Sequence, residues 1–140
     1  MRVKSQRTWK ILFLLCAGLV CLNYLTGIIA YRVYISKLTQ TKVTANLTIS
    51  RQDIKGKITI QPPKNLTVTP VDYQIYFYDN RGNTIQIIAD SMDGLSKSFS
   101  AKTRPSLFEQ EWHVEGYTNV KVHWFWISAQ ISLPVEVISR

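Results

Sequence analysis

The chain has 140 residues, enough for one domain and little more, and a formal net charge of +8. The charge is unevenly placed: seven basic residues (Arg2, Lys4, Arg7, Lys10, Arg32, Lys37, Lys42) and no acid fall in residues 1–42, leaving ten basic and nine acidic residues, a net +1, for residues 43–140. A domain that neutralises phosphates shows its basic footprint on the fold itself, so a nearly neutral globular part excludes nucleic acid as the expected partner.

Residues 1–10 form a short basic N-terminal segment. Ile11–Ala30, ILFLLCAGLVCLNYLTGIIA, follows with no charge across its length and only Asn23 and Thr26 as strongly polar side chains. At ~1.5 Å per residue it would cover ~30 Å, one hydrocarbon core. Trp9 before it and Tyr31 and Tyr34 after it stand where interfacial anchors belong. The segment therefore predicts a transmembrane helix and a partner in the lipid bilayer. A cleaved signal peptide is the competing reading. Its apolar run should be ~7–15 residues long and end in small residues. This run is longer, and Ile28-Ile29-Ala30 is a poor cleavage site. Four basic residues precede the span and three follow it, a slight bias toward a cytoplasmic N-terminus and an extracytoplasmic domain. Both cysteines, Cys16 and Cys21, lie inside the span, so the domain beyond has none and cysteine says nothing of its compartment.

Residues 31–42, YRVYISKLTQTK, read as a turn or two of continuing helix and then a polar stalk. Residues 43–140 read as strands. VTANLTIS (43–50) places Val43, Ala45, Leu47 and Ile49 on one face, and KGKITIQ (55–61) places Ile58 and Ile60 on one face. Pro62-Pro63-Lys64-Asn65 breaks the pattern. VDYQIYFYD (71–79) puts Val71, Tyr73, Ile75 and Phe77 together, NRGN (80–83) is a turn, and TIQIIA (84–89) returns from it. Further strands are predicted over 98–102, 111–115, 120–127 and 132–138, with a short loop or helical turn at 107–109 and with Pro134 favouring an edge. Short strands, frequent turns and no amphipathic helix predict an all-β ectodomain, an antiparallel β-sandwich of immunoglobulin-like type, preceded by one N-terminal transmembrane α-helix.

At Ile75-Tyr76-Phe77-Tyr78-Asp79, followed by Gly82, the chain resembles the FxLYD family of small extracytoplasmic β-domains. Ile75 stands at the Phe position and Phe77 at the Leu position, while Tyr78, Asp79 and Gly82 match directly. Gly56 with Ile58 upstream, and Asp93, Leu95 and Phe99 downstream, resemble flanking features of the family. Ile60 stands where an asparagine is usual, and the Pro-Gly between Leu95 and Phe99 is missing. The resemblance implies a membrane-tethered or secreted module without general enzymatic activity, and hence binding or scaffolding. On physical grounds alone the motif is hairpin architecture, with Asp79 accepting turn N–H groups and Gly82 free to take φ > 0.

Chemistry-bearing residues form no catalytic or metal pattern. Asp79, Asp90 and Asp93 lack the alternating oxygen donors of a Ca²⁺ loop, and His113 and His123 have no neighbouring ligand at metal spacing. There is no nucleophile elbow, phosphate loop or HExxH. No enzyme activity, cofactor or metal is expected. The sequons Asn46-Leu47-Thr48 and Asn65-Leu66-Thr67 are read as chance.

The remaining feature is VKVHWFWI, residues 120–127. Read as one strand, it places Val120, Val122, Trp124 and Trp126 on a core face and Lys121, His123, Phe125 and Ile127 on the other. Either a loop such as 106–110 covers Phe125 and Ile127, or they belong to a contact surface with Trp124, Trp126 and Tyr117. The expected function is a non-enzymatic, membrane-anchored interaction or scaffolding module, an accessory subunit of a membrane assembly with a protein partner. The alternative is a small-ligand binder with an aromatic pocket of Trp124, Phe125, Trp126 and Tyr117.

Overall fold

The computed structural model describes residues 2–124 and 127–140, with side chains described for 6–123 and 128–140. Two compact units emerge, residues 1–37 and 38–140. The first is a single helix, α1, Arg2–Leu38. Its stretch Gln6–Leu38 is long and apolar enough to cross a membrane, and none of its most apolar window is buried within the protein. Apolar side chains surround the helix, so it has no core-facing stripe, and Lys37 in the last turn complements the dipole. The helical conformation runs beyond the apolar segment through most of residues 31–42, and the Thr41 N–H closes a turn onto the Leu38 carbonyl at 3.0 Å.

The second unit has seven strands: β1 (Lys42–Ile49), β2 (Asp53–Gln61), β3 (Thr67–Asp79), β4 (Thr84–Ser91), β5 (Ser96–Lys102), β6 (Trp112–Trp124) and β7 (Ile127–Ser139). One 3₁₀ turn, Pro105–Phe108, lies between β5 and β6. The strand order is β4-β3-β6-β7-β1-β2-β5, and every pairing is antiparallel except β1 with β7. β7 divides between two neighbours. Ile127 to Val135 pair with β6, and Glu136 to Ser139 pair with β1. A strand that changes partners in this way forms a corner between two half-sheets.

Residues from both ends of the sheet supply one buried apolar set. Val43, Ala45 and Leu47 of β1 and Ile54, Ile58 and Ile60 of β2 come from one side, and Tyr73, Ile75 and Phe77 of β3 with Val120 and Val122 of β6 from the other. The Tyr73 and Phe99 rings, from β3 and β5, meet with centroids 5.3 Å apart. The edge strands β4 and β5 come together without a ladder between them. Gln86 Nε2 donates to the Lys102 carbonyl at 2.8 Å, Gln86 Oε1 accepts the Arg104 N–H at 3.0 Å, and Arg104 Nη1 donates to the Ile85 carbonyl. The sheet is thereby nearly closed on itself, its open seam bridged by side chains.

Two bulges set the local phase. In β4 the register passes from Phe77↔Gln86 to Tyr78↔Thr84, which leaves Ile85 as the extra residue. Ile85, Gln86 and Ile88 are buried while Ile87 is 53% exposed. In β3 the register skips Val71, whose carbonyl accepts the Met92 N–H at 2.9 Å. Thr118 Oγ1 and Asn119 Nδ2 pin Asp72 beside that bulge at 2.8 and 2.7 Å.

Three expectations change. Residues 111–115 and the start of 120–127 are one uninterrupted strand, β6. Its Gly116 is no break: a Cβ there would come within 2.9 Å of Val135 Cβ, so glycine admits the close approach of β7. Residues 120–127 are not one strand, because Trp124, which ends β6, pairs antiparallel with Ile127, which begins β7. Pro134 is not on an edge strand, since β7 lies between β6 and β1, but it precedes the residues that pair with β1, where no N–H is required on that side.

Candidate interaction surface

The outer face of β3 and β6 carries aromatic rings where a water-facing strand would carry polar groups. In β3 the inward residues Tyr73, Ile75 and Phe77 alternate with Gln74, Tyr76 and Tyr78. Tyr76 pairs across the ladder with Glu115, and Tyr78 with His113. The Tyr76 and Tyr78 rings stack at 5.8 Å, Tyr78 stacks on His113 at 5.4 Å, and Tyr117 meets Tyr76 edge-on at 6.4 Å. Ile87 on β4, paired with Tyr76, extends the apolar face. Tyr117 is 42% exposed, so the cluster is presented to its surroundings.

Polar groups orient these rings. The Tyr76 hydroxyl donates to Gln74 Oε1, and the Tyr117 hydroxyl donates to Glu115 Oε2 at 3.2 Å. The hydrogen bond to the Glu115 carboxylate, with its negative charge, pushes the Tyr117 phenol above its ordinary value, so the hydroxyl stays protonated. The face can offer ring surfaces and oriented hydroxyls, the groups that protein interfaces favour.

One end of this face is tied by the turn at residues 79–83. Asp79 Oδ1 accepts the N–H groups of Arg81 and Asn83, each at 2.8 Å, and Oδ2 accepts Asn83 Nδ2 at 3.0 Å. The Asn83 side-chain bond, followed by its backbone bond, lowers the Asp79 pKa. Gly82 sits at φ 82°, and Asn80 Nδ2 reaches Glu111 Oε2 at 3.0 Å, joining the turn to the start of β6. The motif Tyr78-Asp79 thus serves the hairpin.

Of the residues singled out in the sequence, Tyr117 lies in this cluster. Trp124 ends β6 and Ile127 begins β7, with side chains outside the described set, and Phe125 and Trp126 lie outside the described residues altogether. The aromatic pocket built on these four residues is likewise outside it. Trp9 and Tyr31 are exposed on α1, whereas Tyr34, three residues further on, is buried at 4% exposure. His113 and His123 stand ten residues apart on β6, ~33 Å at a strand's rise. Asp90 is engaged by Lys97 Nζ at 2.7 Å, and among the described residues no three His, Cys, Asp or Glu side chains group as a metal site.

Tyr76 and Tyr78 were read from the sequence only as part of the hairpin motif and His113 only as an unpaired histidine, while Ile87 was not singled out; none was assigned to a surface with Tyr117. The signal was present in VDYQIYFYD: three inward apolar positions are interleaved with two tyrosines on the face expected to be wet. Comparison with protein-family models gives no match, and comparison with curated proteins gives none.

Proposed function

We propose that the chain is a non-enzymatic, membrane-anchored interaction module, with α1 spanning the bilayer, a cytoplasmic N-terminus and an extracytoplasmic β-domain that docks a protein partner of a membrane assembly. The observation that carries this reading is the Tyr76–Tyr78–Tyr117–His113 cluster with exposed Ile87, an apolar and ring-rich surface on a domain joined to an apolar helix. The positive residues before Ile11 favour the orientation. The switch of β7 between two half-sheets supports the immunoglobulin-like sandwich as the finer description of the fold, and the Asp79 turn supports the FxLYD resemblance.

The test is photo-cross-linking of the full-length protein in its native membranes from a probe at position 117, beside Tyr78→Lys and Ile87→Lys variants. A discrete adduct that both variants abolish, with the thermal transition of the domain kept within a few degrees, supports the reading. An adduct that survives both substitutions, or none from position 117, refutes docking through this face.

A further inference from the structure

The apolar segment of α1 contains two strongly polar side chains, and they differ in how they are satisfied. Thr26 Oγ1 donates to the Asn23 carbonyl at 2.9 Å within the helix. The Asn23 side-chain amide has no hydrogen-bond partner in α1 among the described residues, and it projects from a window that the protein leaves wholly exposed. In hydrocarbon an amide without partners is costly, and a neighbouring helix is the ordinary remedy.

The position of Asn23 indicates which face would meet that neighbour. Cys16, Val20, Asn23, Gly27 and Ala30 fall at intervals of four, three, four and three residues, the spacing of a left-handed helix–helix seam. Gly27 lies one turn beyond Asn23, and nothing stands within 4 Å of where its Cβ would be, so a second backbone can approach there. Leu15, Leu22 and Ile29, all exposed, occupy a different face suited to lipid.

The chemistry of the amide selects the occupant. A carboxamide carries both donors and an acceptor, so two copies of Asn23 related by a twofold axis satisfy one another reciprocally. Copies of one chain insert in one orientation, so the pair is parallel and the two Asn23 side chains lie at the same depth. We infer that α1 self-associates in the bilayer as a parallel dimer, with Asn23 paired to Asn23 across the Cys16–Val20–Asn23–Gly27–Ala30 seam. This rests on the reading of α1 as a spanning helix.

The two native cysteines provide the test. Cys16 lies about 20° around the helix from Asn23, whereas Cys21 lies about 160° away. Membranes containing the full-length protein are oxidised with copper phenanthroline. The Cys21→Ser variant, which retains Cys16, should form a disulfide-linked dimer, and the Cys16→Ser variant should not. In the Cys21→Ser background, Asn23→Leu should lower the dimer yield about three- to thirty-fold, and Asn23→Gln should restore most of it. Equal cross-linking through either cysteine, or none through Cys16 while the protein resists alkaline carbonate extraction, overturns the dimer and leaves the anchor standing. Release of the protein by carbonate overturns the spanning helix and the pairing with it.

Discussion

Gly56 offers the sharpest test of the core. It lies on β2 opposite Phe99 of β5, and a Cβ at this position would stand 2.4 Å from Phe99 Cζ, 2.8 Å from Phe99 Cε1 and 2.7 Å from Leu47 Cδ2. Both neighbours must shift to admit it, Leu47 from a buried position and Phe99 from a half-buried one. Leu47 is 2% exposed, and the Phe99 ring already rests against the buried Tyr73 ring. Forcing one carbon into a filled core costs about 1–3 kcal/mol. Replacing glycine restricts the unfolded chain and returns about 0.4–1 kcal/mol. Gly56→Ala should therefore destabilise the domain by about 1–2 kcal/mol, a fall in Tm of roughly 5–15 °C for a domain near 100 residues. Thermal unfolding of the detergent-solubilised full-length protein, followed by circular dichroism, reads this directly. A smaller ring-site residue should relieve the clash, so Gly56→Ala should cost about 1 kcal/mol less in a Phe99→Leu background than alone. A neutral Gly56→Ala, or strict additivity in the cycle, would show that Phe99 does not occupy the space above Gly56.

Gln86→Leu removes two of the three hydrogen bonds that tie β4 to residues 102–104 and leaves the Lys102 carbonyl and Arg104 N–H without those partners; a loss of about 2–4 kcal/mol is expected, with faster hydrogen exchange at Arg104. Thr118→Val keeps the shape of a fully buried side chain but strands the Asp72 carbonyl, and should cost about 1 kcal/mol in the same unfolding assay. Asp53, Asp79 and Asp90 all have lowered pKa values, through hydrogen bonds led by Ser50, Asn83 and Lys97 respectively. Their folded values lie below the unfolded one, so their stabilisation is complete above about pH 4 and is lost as pH falls through the folded values. A Tm-versus-pH series should decline on the acid side of about pH 4, and Asp79→Ala should flatten that decline; an unchanged slope would sink the assignment to Asp79.

The strands that bury one face were legible because their alternation is undisturbed: Val43, Ala45 and Leu47 in β1, and Tyr73, Ile75 and Phe77 in β3, are core residues. The turn at 80–83 was legible because Asp79 and Gly82 are chemically suited to it. Elsewhere tertiary packing overrode the local signal. Gly116 falls between the two strands expected over 111–115 and 120–127, yet it lies inside β6 and serves the contact with Val135. The end of β6 at Trp124 and the start of β7 at Ile127 have no Gly, Pro, Asn or Asp in residues 120–127 to announce them. The bulge at Ile85 turns Gln86 inward and Ile87 outward, which alternation alone could not place. The candidate surface was half legible. Tyr117 was singled out, but its partners Tyr76, Tyr78 and His113 were hidden by the two-strand reading of β6, since register across a continuous strand is what brings them together.

The division of β7 has a consequence for how the domain is made. Leu47 pairs with Ser139 and Thr44 with Glu136, contacts more than 90 residues apart in sequence, and the Arg140 N–H closes onto the Leu47 carbonyl at 3.0 Å. Of the seven strands β7 is the last to be synthesised, yet it occupies the middle of the order. On a ribosome, β1, β2 and β5 must wait on one side, and β3, β4 and β6 on the other, with unpaired edges, until the strand that joins them emerges. Such long-range closure is slow and exposes strand edges meanwhile. Closure of the domain is therefore expected to wait for β7. A nascent chain halted with β7 still inside the ribosome should be protease-sensitive on both sides of the missing strand, and emergence of residues 127–139 should protect them together.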